Sequence, residues 1–161
     1  MILLSSSNSL RRAFHIEPVE TTPIVSTTDW YRFWRVDAKK FKGLGEVMLF
    51  TNQETLYTVV ADSSKFRRGT DFVMWFLFRY GELFNGHFGY NGRIKEEIML
   101  HRGVDRSLTG VMSNLFYMIE FYNGEKSHAE LERWLNQVPI VSRNLIPEDS
   151  FRAKLGMGKC S

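Results

Sequence analysis

Glu46-Val-Met-Leu-Phe-Thr51, Asn52-Gln-Glu-Thr55 and Leu56-Tyr-Thr-Val-Val-Ala61 decide how this chain is read. Two runs rich in β-branched and aromatic residues flank a short polar connection, which predicts an antiparallel hairpin. Just upstream, Tyr31, Phe33 and Arg35 alternate with Arg32, Trp34 and Val36. A period of two sends successive side chains to opposite faces of a strand. Lys39-Lys40-Phe41-Lys42-Gly43 follows, and its glycine marks a turn. Residues 30–61 therefore read as β structure.

Outward from this block the periodicity changes. Phe72, Trp75, Phe76, Arg79, Tyr80 and Leu83 recur at helical spacing and predict a helix over 71–85. Val73, Leu77 and Phe78 widen its apolar face, so the helix is expected to be buried nearly all round. Asn85-Gly86 and Gly89 end it. Ile94 to Leu100 reads as a strand ending before Gly103. Leu108, Val111, Met112, Leu115, Phe116, Ile119 and Tyr122 fall on one stripe and predict a helix over 107–122. Ser127-His-Ala-Glu130 has the spacing of a capping box and opens a helix to about Gln137, stopped by Pro139. A short helix follows Pro147 within 144–155, and another spans Ser7 to Phe14, capped by Ser7 or Asn8. Residues 17–29, with two prolines and several threonines, read as a loop. Segregated strands and helices indicate an α+β fold in one domain over residues 1–161, with a small antiparallel sheet of about three to four strands packed by about four helices.

The chain has 161 residues, 43% hydrophobic, 24% charged and 14% aromatic, the profile of an ordinary globular protein. Its net charge is +3, with the excess in the first half, a balance that permits nucleic-acid binding without requiring it. The longest apolar run, Phe72 to Phe78, is far short of the roughly 20 residues that cross a bilayer. Met1-Ile2-Leu3-Leu4 is too short for the apolar core of an export signal. With a single cysteine, Cys160, the expected compartment is the cytoplasm.

Most catalytic signatures are missing. One cysteine excludes an intramolecular disulfide framework and a cysteine zinc cage. His15, His87, His101 and His128 are dispersed, with no metal-ligand spacing, so no metal and no cofactor is expected. Gly156-Met-Gly158-Lys159 lacks the leading glycine of a phosphate loop, since Ala153 stands there, and Gly43-Leu-Gly45 lacks the third glycine of a dinucleotide fingerprint. Cys160 reads as a tail thiol without a role. The neighbours Glu96 and Glu97 would face opposite sides of a strand, and Glu130 and Glu132 read as a solvated helix face. Trp30, Tyr31, Phe33 and Trp34 stand close to Lys39, Lys40 and Lys42, with Lys65, Arg67 and Arg68 past the hairpin. Aromatic rings on a sheet stack bases while cations hold phosphates. The simpler reading assigns the rings to the core and the cations to solubility.

The most distinctive segment is Arg106-Ser-Leu-Thr-Gly-Val-Met-Ser-Asn114. Ser107 stands where an N-cap accepts orphan helix N–H bonds, Arg106 could clamp a carboxylate or phosphate, and Gly110 leaves room for close approach. A helix-start clamp serving only the fold is the simpler reading. The segment resembles the core motif of a bacterial and phage domain-of-unknown-function family, the 6933-type, whose pattern runs Arg-Ser-Val-Leu-Gly-Ser-Met-Asn-Asp. Arg106, Ser107, Gly110 and Met112 match, Leu108 is conservative, and Asn114 stands where the pattern has an acid. Leu49-Phe50-Thr51-Asn52 and Asn136-Gln-Val-Pro139 are similar to further elements of that family, so the likeness covers most of residues 30–150. It implies a fold neighbourhood and carries no activity with it.

The leading functional expectation is a non-catalytic interaction or regulatory protein, with a protein partner or self-association; a phage protein that blocks a host-defence complex is one instance. The alternative is nucleic-acid binding through the clusters at 30–42 and 65–68. A third is an enzyme with a dispersed site around His101, Arg106 and Ser107. The candidate binding residues are Arg106, Ser107, Gly110, Asn114, Lys39, Lys40, Lys42, Arg67 and Arg68.

Overall fold

Strand β1, Ile2–Ser6, is buried along its whole length and lies inside the sheet with a neighbour on each side. It pairs in parallel with β2, Phe33–Phe41, and with β5, Ile98–Arg102. β2 pairs antiparallel with β3, Gly45–Asn52, which pairs antiparallel with β4, Thr58–Asp62. The order is β4-β3-β2-β1-β5. The computed structural model describes residues 1–17, 29–91, 96–102, 106–124 and 126–156.

The α+β class holds, and two details of the expectation are corrected. The sheet has five strands and is mixed, not an antiparallel set of three or four, because the N-terminal apolar run inserts as a parallel strand. The described residues hold five α-helices: α1 Asn8–Ala13, α2 Gly69–Leu83, α3 Arg106–Glu120, α4 His128–Gln137 and α5 Pro147–Lys154. Ser7 caps α1 by accepting the Leu10 N–H at 3.3 Å, and Ser127 caps α4 by accepting the Glu130 N–H at 3.1 Å. Trp30–Arg32 forms a 3-10 turn, so the strand begins at Phe33. The loop expected at 17–29 lies largely outside the described residues, as do Ile94 and Cys160.

The helices cover both faces of the sheet. Ile2, Leu4, Trp34, Val36, Met48, Phe50, Val59 and Ala61 pack against α1, α2 and α5. Phe41, Val47, Leu49 and Val60 pack against α3 and α4. Each strand of the hairpin thus feeds two cores through its period of two. Helix α2 is not buried all round: Phe72, Phe76 and Tyr80 face the sheet, while Met74 and Phe78 are 65% and 67% exposed. Only one side of a surface helix meets the core.

The hairpin turns have distinct chemistry. Between β2 and β3, Gly43 and Gly45 adopt φ of +89° and +75°, where a Cβ would be strained. Between β3 and β4, the Asn52 side-chain Oδ1 accepts the Thr55 N–H at 2.9 Å and the Glu54 N–H at 3.1 Å, while its side-chain amide donates to the Trp30 and Phe33 carbonyls. Asn52 therefore joins the turn to the start of β2.

Candidate functional site

Helix α3 buries Leu108, Val111, Met112, Leu115 and Ile119. Its opposite side carries Arg106, Gly110, Asn114 and Tyr117, and Phe121 follows in the turn just past its end, all five exposed. At 3.6 residues per turn the four helical residues fall within a sector of about 80° and along about 17 Å of helix. Tyr117 is 60% and Phe121 67% exposed, and their rings meet edge-on with centroids 5.0 Å apart. Arg106 makes no ion pair among the described residues. Among the described residues, no atom beyond the helix's own turn lies within 4 Å of where a Cβ on Gly110 would stand.

The motif thus splits between core and surface. Leu108 and Met112 hold α3 to the sheet, whereas Arg106, Gly110 and Asn114 share the outer stripe. Ser107 is not the N-cap expected of it: it lies inside α3, and its hydroxyl accepts a hydrogen bond from the Arg143 guanidinium. That contact ties α3 to the 3-10 turn Val141–Arg143. His101 lies on β5, in register with Ser5.

The other cations are scattered. Lys39 pairs with Glu120 at the end of α3, at 3.2 Å, and lies over the Phe41 ring. Lys40 and Lys42 are exposed at the β2–β3 turn, where Lys126 Nζ comes within 3.4 Å of the Cβ position of Gly43. Arg67 and Arg68 precede α2, and their backbone N–H groups donate to Asp71 at 2.9 and 3.0 Å. Those two bonds hold the Asp71 carboxyl below its usual range. The rings near the lysines are in the core: Trp34 is buried, and Trp30 and Tyr31 pack among Phe84, Phe88 and Phe151.

The sequence reading did not foresee how several polar groups come together. His101, Ser5, Arg35, Thr51 and Thr58 lie in register across all five strands, on the face that carries α3 and α4. Arg35 is buried and pairs with Asp37 at 3.0 Å, and Asp37 in turn accepts the Ser7 N–H at 3.3 Å. Glu132 is not solvated: it accepts the Val60 N–H at 2.7 Å and pairs with Arg79 at 2.8 Å. Asn136 meets both the N–H and the carbonyl of Thr58 at 2.8 Å. At the other end of the sheet, Glu96 joins the Met1 ammonium, Arg32 and the Tyr90 hydroxyl. Burial pushes the Glu96 carboxyl up, but these donors outweigh it and hold it below the usual range. Burial, reinforced by Glu132, raises the Tyr57 phenol to about 12. Only alternation could have hinted at the row, since parallel strand partners are remote in sequence.

Most of these groups tie one element of the fold to another. A groove of about 520 Å³ between the segment 139–146 and α5 has Asp149 as its one ionisable lining side chain among the described residues. No group of histidine, cysteine and carboxylate side chains could hold a metal, and no helix is long and apolar enough to cross a membrane, among the described residues.

A family model described as a domain of unknown function, DUF6933, matches residues 3–149. No curated protein and no solved structure matches the chain.

Proposed function

The chain belongs to the DUF6933 domain family, and we propose that it works as a non-catalytic interaction protein of bacterial or phage type whose contact surface is the outer face of α3. The observation that carries this reading is the stripe Arg106, Gly110, Asn114, Tyr117 and Phe121. Exposed aromatic rings and an arginine sharing one face have the composition of the core of a protein interface. Glycine in an exposed helix interior costs about 1 kcal/mol relative to alanine. Among the described residues nothing packs over Gly110 to offset that cost. A partner backbone or ring in close approach would.

Site-specific photo-crosslinking in extracts of the source cells tests the surface. A benzophenone side chain at Tyr117 is expected to give a discrete protein adduct that disappears when Phe121→Asp is added. The same group at Thr70, exposed on α2, is expected to give none. Equal adducts from both positions, or an adduct indifferent to Phe121→Asp, would overturn the reading.

A second reading, nucleic-acid binding, draws support from Lys40, Lys42 and Lys126 around the β2–β3 turn. It requires affinity for single- or double-stranded oligonucleotides that falls steeply with salt and is abolished by Lys40→Glu with Lys42→Glu. Salt-independent or absent binding discards it.

A further inference from the structure

The stripe on α3 is self-complementary. Turned antiparallel against a copy of itself, with the two-fold axis passing between Ser113 and Asn114, it brings each Tyr117 to Gly110 and each Phe121 to Arg106. In this register 110 and 117, 106 and 121, and 113 and 114 are equidistant from the axis. We propose that a second copy of this chain occupies the outer face of α3 in that antiparallel arrangement. The inference rests on α3 being the contact surface and names its occupant.

Each contact has a physical reason. The empty space over Gly110 receives a tyrosine ring without moving any side chain. Arg106, which makes no ion pair among the described residues, meets the face of a phenylalanine ring, a cation–π contact, beside Glu120 of the opposite protomer. Ser113 donates its hydroxyl to the Thr109 carbonyl at 3.1 Å, so its lone pairs are available to the Asn114 amide of the opposite protomer. A two-fold axis makes every one of these contacts twice, the usual logic of a homodimer. One helix face is a small interface, below about 1,200 Å², so association should be reversible and concentration-dependent.

Sedimentation equilibrium or light scattering over about 1 to 500 µM tests the proposal, a range chosen because small interfaces associate weakly. The mass is expected to rise from the 18.9 kDa of one chain towards twice that value. Phe121→Asp and Gly110→Leu should each weaken dimerisation at least tenfold. Gly110→Ala is the sharper probe, because it should raise the melting temperature of the monomer while weakening the dimer; a merely structural glycine would not separate the two. In a Cys160→Ser background, Asn114→Cys should give a disulfide-linked dimer on mild oxidation, and Glu130→Cys should not. A constant monomer mass, or a dimer untouched by Phe121→Asp and Gly110→Leu, would overturn the proposal. If the purified chain stays monomeric while the Tyr117 crosslink captures a different protein, the second copy is ruled out and the α3 surface stands. If neither occurs, both readings are lost.

Discussion

At the scale of single residues, Arg35 and Asp37 show how a charged pair is held on a sheet. Both side chains are largely buried, at 6% and 13% exposure, and they meet at 3.0 Å. Asp37 spends its second oxygen on the Ser7 N–H, which fixes the start of α1 to β2. Arg35 keeps a buried Nη1 with no hydrogen-bond partner. Desolvation of two ions is costly, and removing one partner leaves the other charge uncompensated, a loss of about 3–5 kcal/mol. Asp37→Ala is therefore expected to destabilise the protein by about that amount. Arg35→Met, which leaves a carboxylate still bonded to a backbone N–H, should cost less, and the double variant Arg35→Met with Asp37→Leu less than Asp37→Ala alone. Urea unfolding of the three variants measures the order; an Asp37→Ala protein as stable as the double variant contradicts it.

At the scale of elements, α4 acts as a cover for a sheet edge. β4 is an outer strand, and its unpaired backbone would template aggregation if exposed. Glu132 takes the Val60 N–H, and Asn136 takes the N–H and carbonyl of Thr58, so α4 supplies with side chains what a further strand would supply with backbone. Glu132→Ala should cost about 1–3 kcal/mol through the orphaned N–H and the unpaired Arg79. It should also speed thioflavin-positive aggregation in mild denaturant, whereas Glu130→Ala, at an exposed pair with Arg133, should not. Equal aggregation of the two variants would deny α4 that role. This arrangement was illegible in the sequence, where Glu130 and Glu132 look alike. The hairpin, α3 and the caps of α1 and α4 were legible because their signals are local: alternation, a helical stripe, a serine at the right place. Strand β1 was not, since four apolar residues say nothing about partners encoded beyond residue 30. Of the site, Arg106, Gly110 and Asn114 were named in advance, but Tyr117 and Phe121 were not. Their meaning depends on which residues of α3 the sheet leaves uncovered.

At the scale of the molecule, the two cores share one set of strands. Met48, Phe50, Val59 and Ala61 face one helical layer, while Val47, Leu49 and Val60 face the other, alternating along β3 and β4. Losing α3 and α4 would expose Val47, Leu49, Val60 and Phe41 to water and would also uncover the backbone of β4 through Glu132 and Asn136. Losing α2 would expose Trp34, Met48 and Phe50 and release the Arg79 end of the Arg79–Glu132 bridge between the layers. Neither layer can leave without stripping the strands that support the other, so the slowest-exchanging amides of α2, α4 and the β2–β4 hairpins should report one common opening free energy. Native-state hydrogen exchange in low urea measures this directly, because amides in a shared cooperative unit converge on the global unfolding value as denaturant rises. An α4 whose amides exchange through a separate, cheaper opening would mean that its side-chain bonds to β4 are made and broken independently of the rest. The edge would then be exposed far more often than the protein unfolds.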